Sequence, residues 1–139
     1  MNGLKKIVIQ SSTKNLVILR DYLEKELMND GINQNIANQI ILAVDEACTN
    51  IIKHTHKFDD TKLITLNFQK FQNKFQINIQ YEGNSFDPTK IENPDMNEYF
   101  AKYKVGGLGI PLIKKFMSKI EYAKINPNIN SLTLIKDLN

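Results

Sequence analysis

The sequence predicts an α+β fold, a two-layer sandwich in which helices cover one face of a mixed, mostly antiparallel sheet. Two observations carry this expectation. The hydrophobic period changes along the chain in the order strand, two helices, two strands, long connection, helix, two strands, so helices and strands are partly segregated. In the central pair of strands only one face is apolar, as in an antiparallel sheet covered on one side. A chain of 139 residues is expected to form one domain with a sizeable core.

Each element has a local signal. LKKIVIQ (4–10) reads as a short strand. Ser12 or Thr13 offers an N-cap to a helix whose Leu16, Leu19, Leu23 and Leu27 recur at helical spacing, and Gly31 stops it. Asn33 caps the next helix, whose Ile36, Ile40, Ala43, Ala47 and Ile51 carry it to about His54. KLITLNFQKF and KFQINIQYE read as a hairpin turning at Gln72-Asn73. Ile64, Leu66 and Phe68 share one face of it with Phe75, Ile77, Ile79 and Tyr81, while Gln76, Asn78, Gln80 and Glu82 point the other way. From about 83 to 107 the chain holds Pro88, Pro94 and few apolar positions, which is long for a connection and suggests a functional loop or lid. A helix from Leu108 to Ser118 follows, with Pro111 in its first turn and Leu112, Ile113 and Phe116 as apolar positions. KIEYAKI and SLTLIKD close the chain as two strands around the turn NPNIN.

Composition removes several function classes. A net charge of +3 with scattered lysines does not point to nucleic acid. No apolar run reaches the length of a membrane span, so no membrane segment is expected. The start, MNGLKKIVIQSST, lacks an apolar region followed by a small-residue cleavage site, so no signal peptide is expected. One cysteine excludes an internal disulfide and suits a reducing cytoplasm. Cys48 itself reads as a small core residue.

One stretch carries chemistry, VDEACTNIIKHTH. Glu46, Asn50 and His54 advance in steps of four, climbing one side of the helix at about 6 Å per step. Ala43, Ala47 and Cys48 beside them are small enough to leave room. A carboxylate and an amide oxygen so placed could share a hydrated Mg²⁺ and orient a hydroxyl, and the plain alternative is a solvated helix edge. GGLGI (106–110) opens the helix after the long connection, where glycines let the backbone approach a phosphate. His54-Thr-His56 with Asp59 and Asp60 reads as a solvated helix end rather than a metal site.

The order DEACTNIIKH, EGNSFDP, GGLGI and SLTLIK resembles the ATP-binding domain of the GHKL superfamily, over nearly the whole chain. Within it the chain looks most like the small anti-sigma-factor serine/threonine kinases. The resemblance implies a Bergerat-type ATP fold and the cofactors ATP and Mg²⁺. Glu46 matches the residue that activates the attacking hydroxyl, Asn50 the magnesium ligand, and His54 a position that is often histidine. Gly83, Phe86 and Asp87 match the second nucleotide box. Gly106, Gly107, Leu108 and Gly109 match the glycine box near the phosphates. Ser131 falls where the family has a threonine that helps bind adenine. The implied partners are a sigma factor and an antagonist (anti-anti-sigma, STAS-type) protein that is phosphorylated, and a homodimer follows by analogy alone.

The match has departures. Tyr81 stands where the family has an aspartate that accepts a hydrogen bond from the adenine amino group, and Ser85 replaces a glycine. Glu82 has the wrong strand parity to substitute. Losing a buried charged acceptor costs about 1.5–3 kcal/mol, roughly tenfold to a hundredfold in affinity. Val105 replaces an arginine found in some relatives, with Lys102 and Lys104 nearby. Asn130 replaces a glycine before the last strand, a tolerable change where φ is positive. Two readings therefore stand: a Mg-ATP-dependent protein kinase of a partner-switching system, or a binding module of the same fold with weak or no nucleotide binding.

Overall fold

A computed structural model of the chain describes residues 4–83 and 109–138. Strand β1 (Lys5–Gln10) leads through a 3-10 turn (Thr13–Asn15) into α1 (Leu16–Asn29) and α2 (Gln34–Asn50), which continues as a π-helical turn over Ile51–Thr55. Strands β2 (Leu63–Phe71) and β3 (Lys74–Glu82) follow, then α3 (Gly109–Phe116), β4 (Lys119–Asn126) and β5 (Ile129–Asp137). Phe86, Asp87, Gly106, Gly107, Leu108 and the expected lid beyond Gly83 lie outside the described residues.

The sheet has five strands in the order β1-β2-β3-β5-β4. It was expected to be mixed, yet all four described pairings are antiparallel. Topology supplies the reason. Two helices separate β1 from β2, so the chain reverses three times and returns antiparallel. The chain between β3 and β4 brings β4 back in the direction of β3, but β5 is inserted between them and no parallel neighbours remain.

Alternation decides which face is buried. Ile64, Leu66, Phe68, Phe75, Ile77, Ile79, Tyr81, Leu132 and Leu134 are all buried in one cluster with helix residues. The alternate positions of β2, β3 and β5 are half-buried or exposed. The helices contribute Leu16, Leu19, Leu23 and Leu27 from α1, and Ile40, Ala43, Val44, Ala47 and Cys48 from α2. Full burial of one such large side chain stabilises by about 1.5–3 kcal/mol, so this cluster dominates the favourable side of folding. α2 packs against both α1 and α3.

Helix ends follow their signals with one exception. The Asn33 carboxamide oxygen accepts from the Asn35 N–H at 2.8 Å and caps α2. Gly31, at φ +72°, ends α1 while the Ile32 N–H reaches back to the Leu27 carbonyl. At the start of α1, however, Ser12 makes no side-chain cap, and Asn15 instead donates from Nδ2 to the Gln10 carbonyl at 2.9 Å.

Candidate functional site

The polar stripe on α2 is set by helix period and corrected by the π turn. Four residues of α-helix turn through about 400°, so Asn50 sits about 40° around from Glu46. A straight continuation would carry His54 further round. The wider turn over Ile51–Thr55, closed by the His56 N–H on the Ile51 carbonyl at 2.8 Å, advances less per residue and brings His54 back toward the line.

All three side chains are half-buried, and their outer polar atoms are shielded from solvent: Glu46 Oε2, Asn50 Nδ2 and His54 Nε2. The solvated-edge alternative does not describe them. Asn50 Nδ2 has no hydrogen-bond partner among the described residues. Burial, and then the Lys53 charge, hold the His54 imidazole below its ordinary pKa, so it is neutral at pH 7. The small residues beside the stripe do not leave open room. Ala43, Ala47 and Cys48 are packed in the core, and burial pushes the Cys48 thiol far up, as expected of an inert cysteine. Asp45, adjacent to Glu46, lies 3.5 Å from Arg20 Nε of α1. Burial nonetheless raises its carboxyl above the ordinary value, with the guanidinium offsetting only part.

Beyond His54 the chain turns inward, contrary to the expectation of a solvated helix end. Lys57 (φ +51°) and Phe58 (φ +64°) are both left-handed and fold the chain back. His56 is thereby buried, with Nδ1 2.7 Å from Ser11 Oγ and Nε2 2.7 Å from the Glu82 carbonyl oxygen. A carbonyl only accepts, so Nε2 carries the proton. Burial keeps the ring neutral against the opposing pull of that carbonyl, and the Ser11 hydroxyl then donates to Nδ1.

His56 meets Tyr81 edge to face, with ring centroids 6.3 Å apart. Tyr81 has the inward parity expected from the sequence and is only 3% exposed. Its register partner is Asn130. The expectation that Asn130 occupies a left-handed turn position is corrected: it is a fully buried strand residue, because the hairpin turns at Pro127-Asn128 alone. The Asn126 carboxamide closes that turn by accepting from the N–H groups of Asn128 and Ile129. Asn130 Nδ2 donates to the carbonyls of Tyr81 (3.2 Å) and Gly83 (2.7 Å), and Oδ1 accepts from the Tyr122 hydroxyl at 2.5 Å. Neither Asn130, Tyr122 nor His56 was marked as a site residue by sequence reasoning.

Gly83 lies against the end of the stripe. At φ +129° it takes a conformation that side chains rarely adopt, and a Cβ there would lie 2.9 Å from Thr55 Cγ2. The start of the second box is thus seated directly against the end of the stripe. Ser131 is not brought to the site. It pairs with Gln80, and its hydroxyl accepts from Asn78 Nδ2 at 2.8 Å on the outer face of the sheet. Asn130 and Leu132 are the helix-facing residues there. Glu82 also points outward, 2.7 Å from Lys62 Nζ, beside a depression of about 320 Å³ that includes Leu63, Thr65, Gln80 and Ile129. Gly109 opens α3, where the glycine-rich motif was expected to begin a helix.

Comparison with known proteins follows the same outline. The family model described as "Histidine kinase-like ATPase domain" matches residues 9–136. The serine-protein kinase RsbW of Bacillus subtilis (strain 168) is 31% identical over 95 residues, covering 65% of this chain and 59% of that relative. RsbW of Staphylococcus aureus (strain MSSA476) is 29% identical over 121 residues, covering 84% of this chain and 76% of its own. The chain therefore spans about three fifths of the length of the first of these relatives. A chain in the crystal structure of the SiaB–SiaC complex from Pseudomonas aeruginosa matches with a TM-score of 0.69 at 15% identity, covering 94% of this chain and 88% of that one, which establishes the shared fold. With an α+β architecture, a helix-borne Glu-Asn-His stripe and a family match across nearly its whole length, the chain belongs to the histidine kinase-like ATPase domain family.

Proposed function

We propose that this domain is an ATP-dependent protein serine/threonine kinase of an anti-sigma, partner-switching system. The carrying observation is the desolvated stripe on α2, with an unpartnered Asn50 amide donor among the described residues. A buried donor without a partner costs about 1–3 kcal/mol, and a bound phosphate or its metal would recover that loss. The names of the RsbW relatives, serine-protein kinases, support the same reading.

The donor set fits the metal-and-phosphate end of a nucleotide. Asn50 offers an amide oxygen to a hard cation and an N–H to a phosphate oxygen. Glu46, four residues away, accepts the proton of an incoming serine or threonine hydroxyl. His54, held neutral by burial, adds no charge beside them. Bound Mg-ATP supplies the phosphoryl group and neutralises its charge, so the protein's part is mostly positioning. The partners in this reading are a sigma factor and a STAS-type antagonist protein, the setting is cytoplasmic, and the protein acts as a homodimer. Among the described residues no helix is long and apolar enough to cross a membrane.

A second reading, a partner-sequestering module that binds nucleotide weakly or not at all, is favoured by one observation: Tyr81 and Asn130 are packed together at the adenine end. Calorimetry with Mg-ATP and phosphate transfer to a small antagonist protein separate the two. Glu46→Gln and Asn50→Ala are each expected to lower transfer by about a hundredfold or more. Unchanged transfer in both variants ends the kinase reading, and absence of Mg-ATP binding to the unaltered protein selects the module.

A further inference from the structure

We propose that the outer face of the sheet, away from the helices, docks a second copy of this chain. The two sheets pack face to face, as in a sandwich, about a twofold axis near Asn78. This specifies the homodimer of the proposed reading, on which it rests, and depends on neither Mg-ATP nor phosphate transfer. β3 is the middle strand of the five, and Asn78 is the middle residue of β3. Around it on the outer face stand Asn67 opposite on β2, Thr133 opposite on β5, and Thr65, Gln80 and Ser131 in the next row. All are half-buried, and Asn78 Nδ2 donates to Ser131 Oγ at 2.8 Å and to Thr133 Oγ1 at 2.9 Å.

The distribution of charge points to a second copy rather than a different partner. The chain is 24% charged, yet the outward positions of β2, β3 and β5 hold no charge except at strand ends, in Lys74, Glu82 and Asp137. Water tolerates lysine or glutamate at every such position. A twofold axis does not, because a residue near it meets its own copy and like charges repel. Carboxamides and hydroxyls each donate and accept, so they pair with themselves. Charges at the rim are neutralised in place: Lys62 with Glu82 at 2.7 Å, Lys74 with Asp137 at 3.9 Å, and Lys119 with Glu121 at 3.2 Å. A strongly charged partner would find no counter-charge in the centre. Val8 and Leu63 add apolar contact on the same face, 46% and 51% exposed. Five strands, the central three of nine residues each, span roughly 700 Å² at about 4.8 Å between strands and about 3.4 Å per residue. A stable interface needs about 800 Å² per partner, so the face is large enough.

The test is sedimentation velocity on the full chain over a concentration series, without nucleotide. The unaltered protein should be a dimer. Asn78→Lys and Asn78→Asp should each weaken it at least about tenfold, and mixing the two variants should restore it, since opposite charges then meet across the axis. Where these variants do not fold, as judged by circular dichroism, Asn67→Lys, one strand from the centre, should weaken the dimer by a similar factor. A dimer unmoved by charge in a folded variant, or weakened but not restored by mixing, overturns this interface and leaves the homodimer standing. A monomeric unaltered protein overturns both.

Discussion

Asn130→Ala is the most informative single change away from the phosphate end. The carboxamide is fully buried and joins three strands: β3 through Tyr81 and, just past its end, Gly83, β5 through its own backbone, and β4 through Tyr122. Three hydrogen bonds at a net of about 1 kcal/mol each give a loss near 3 kcal/mol. Half-buried Tyr122 can recover some of this from water, whereas a shielded Tyr81 carbonyl cannot, so the bracket is about 2–4 kcal/mol. Urea unfolding followed by circular dichroism measures it. Tyr122→Phe supplies the control, since it removes one of the same bonds. In the double variant the costs should fall short of additivity by about 1 kcal/mol, because both changes delete one shared interaction. A loss under about 1 kcal/mol for Asn130→Ala, or strict additivity with Tyr122→Phe, would refute the clasp as the element that holds this end closed.

Two further outcomes are expected. His54 and His56 are the protein's two histidines, and burial lowers both, so the native state stays neutral where the unfolded chain, near pKa 6.5, takes up protons. Stability should be complete above about pH 6.5 and fall as pH drops from there through the native values; a melting temperature that is flat or rising toward pH 5.5 contradicts this, and His56→Gln should flatten the slope. Asp30 and Asp45, raised by burial, act in the opposite sense from their ordinary 3.8 upward, so the difference between variant and parent is the quantity to read. Asn50→Leu should stabilise the ligand-free protein by about 1 kcal/mol, beyond the few tenths that helix propensity supplies, and should abolish the thermal shift with Mg-ATP; a destabilised variant would mean that the amide has a structural partner.

Much of the fold was legible because period reports burial directly. The alternation of β2 and β3 placed Ile64, Leu66, Phe68, Phe75, Ile77, Ile79 and Tyr81 on one face, and all are buried there. The misread positions share a different cause. His56 turns inward because two left-handed residues without glycine, Lys57 and Phe58, end the helix, and that leaves no mark of the usual kind. Asn130 reads as a turn residue because four of the five residues of NPNIN are turn formers, although the Asn126 carboxamide needs only Pro127 and Asn128 to close the hairpin. Ser131 was assigned by motif position alone. Strand parity was the available signal: its pairing with Gln80, an outward residue of β3, puts its hydroxyl on the far face.

The contrast between the two ends of the stripe argues for selection on one of them. Around Tyr81 the chain satisfies its polar groups internally with Asn130, Tyr122, Ser11 and His56, as a folded core should. One helical turn before His54, it buries an amide donor that no described residue accepts from. Marginal stability makes about 1–3 kcal/mol a substantial fraction of the total, and an apolar residue at position 50 would remove that penalty at once. In the proposed reading, a charged, oxygen-rich ligand at Glu46 and Asn50 would recover that cost.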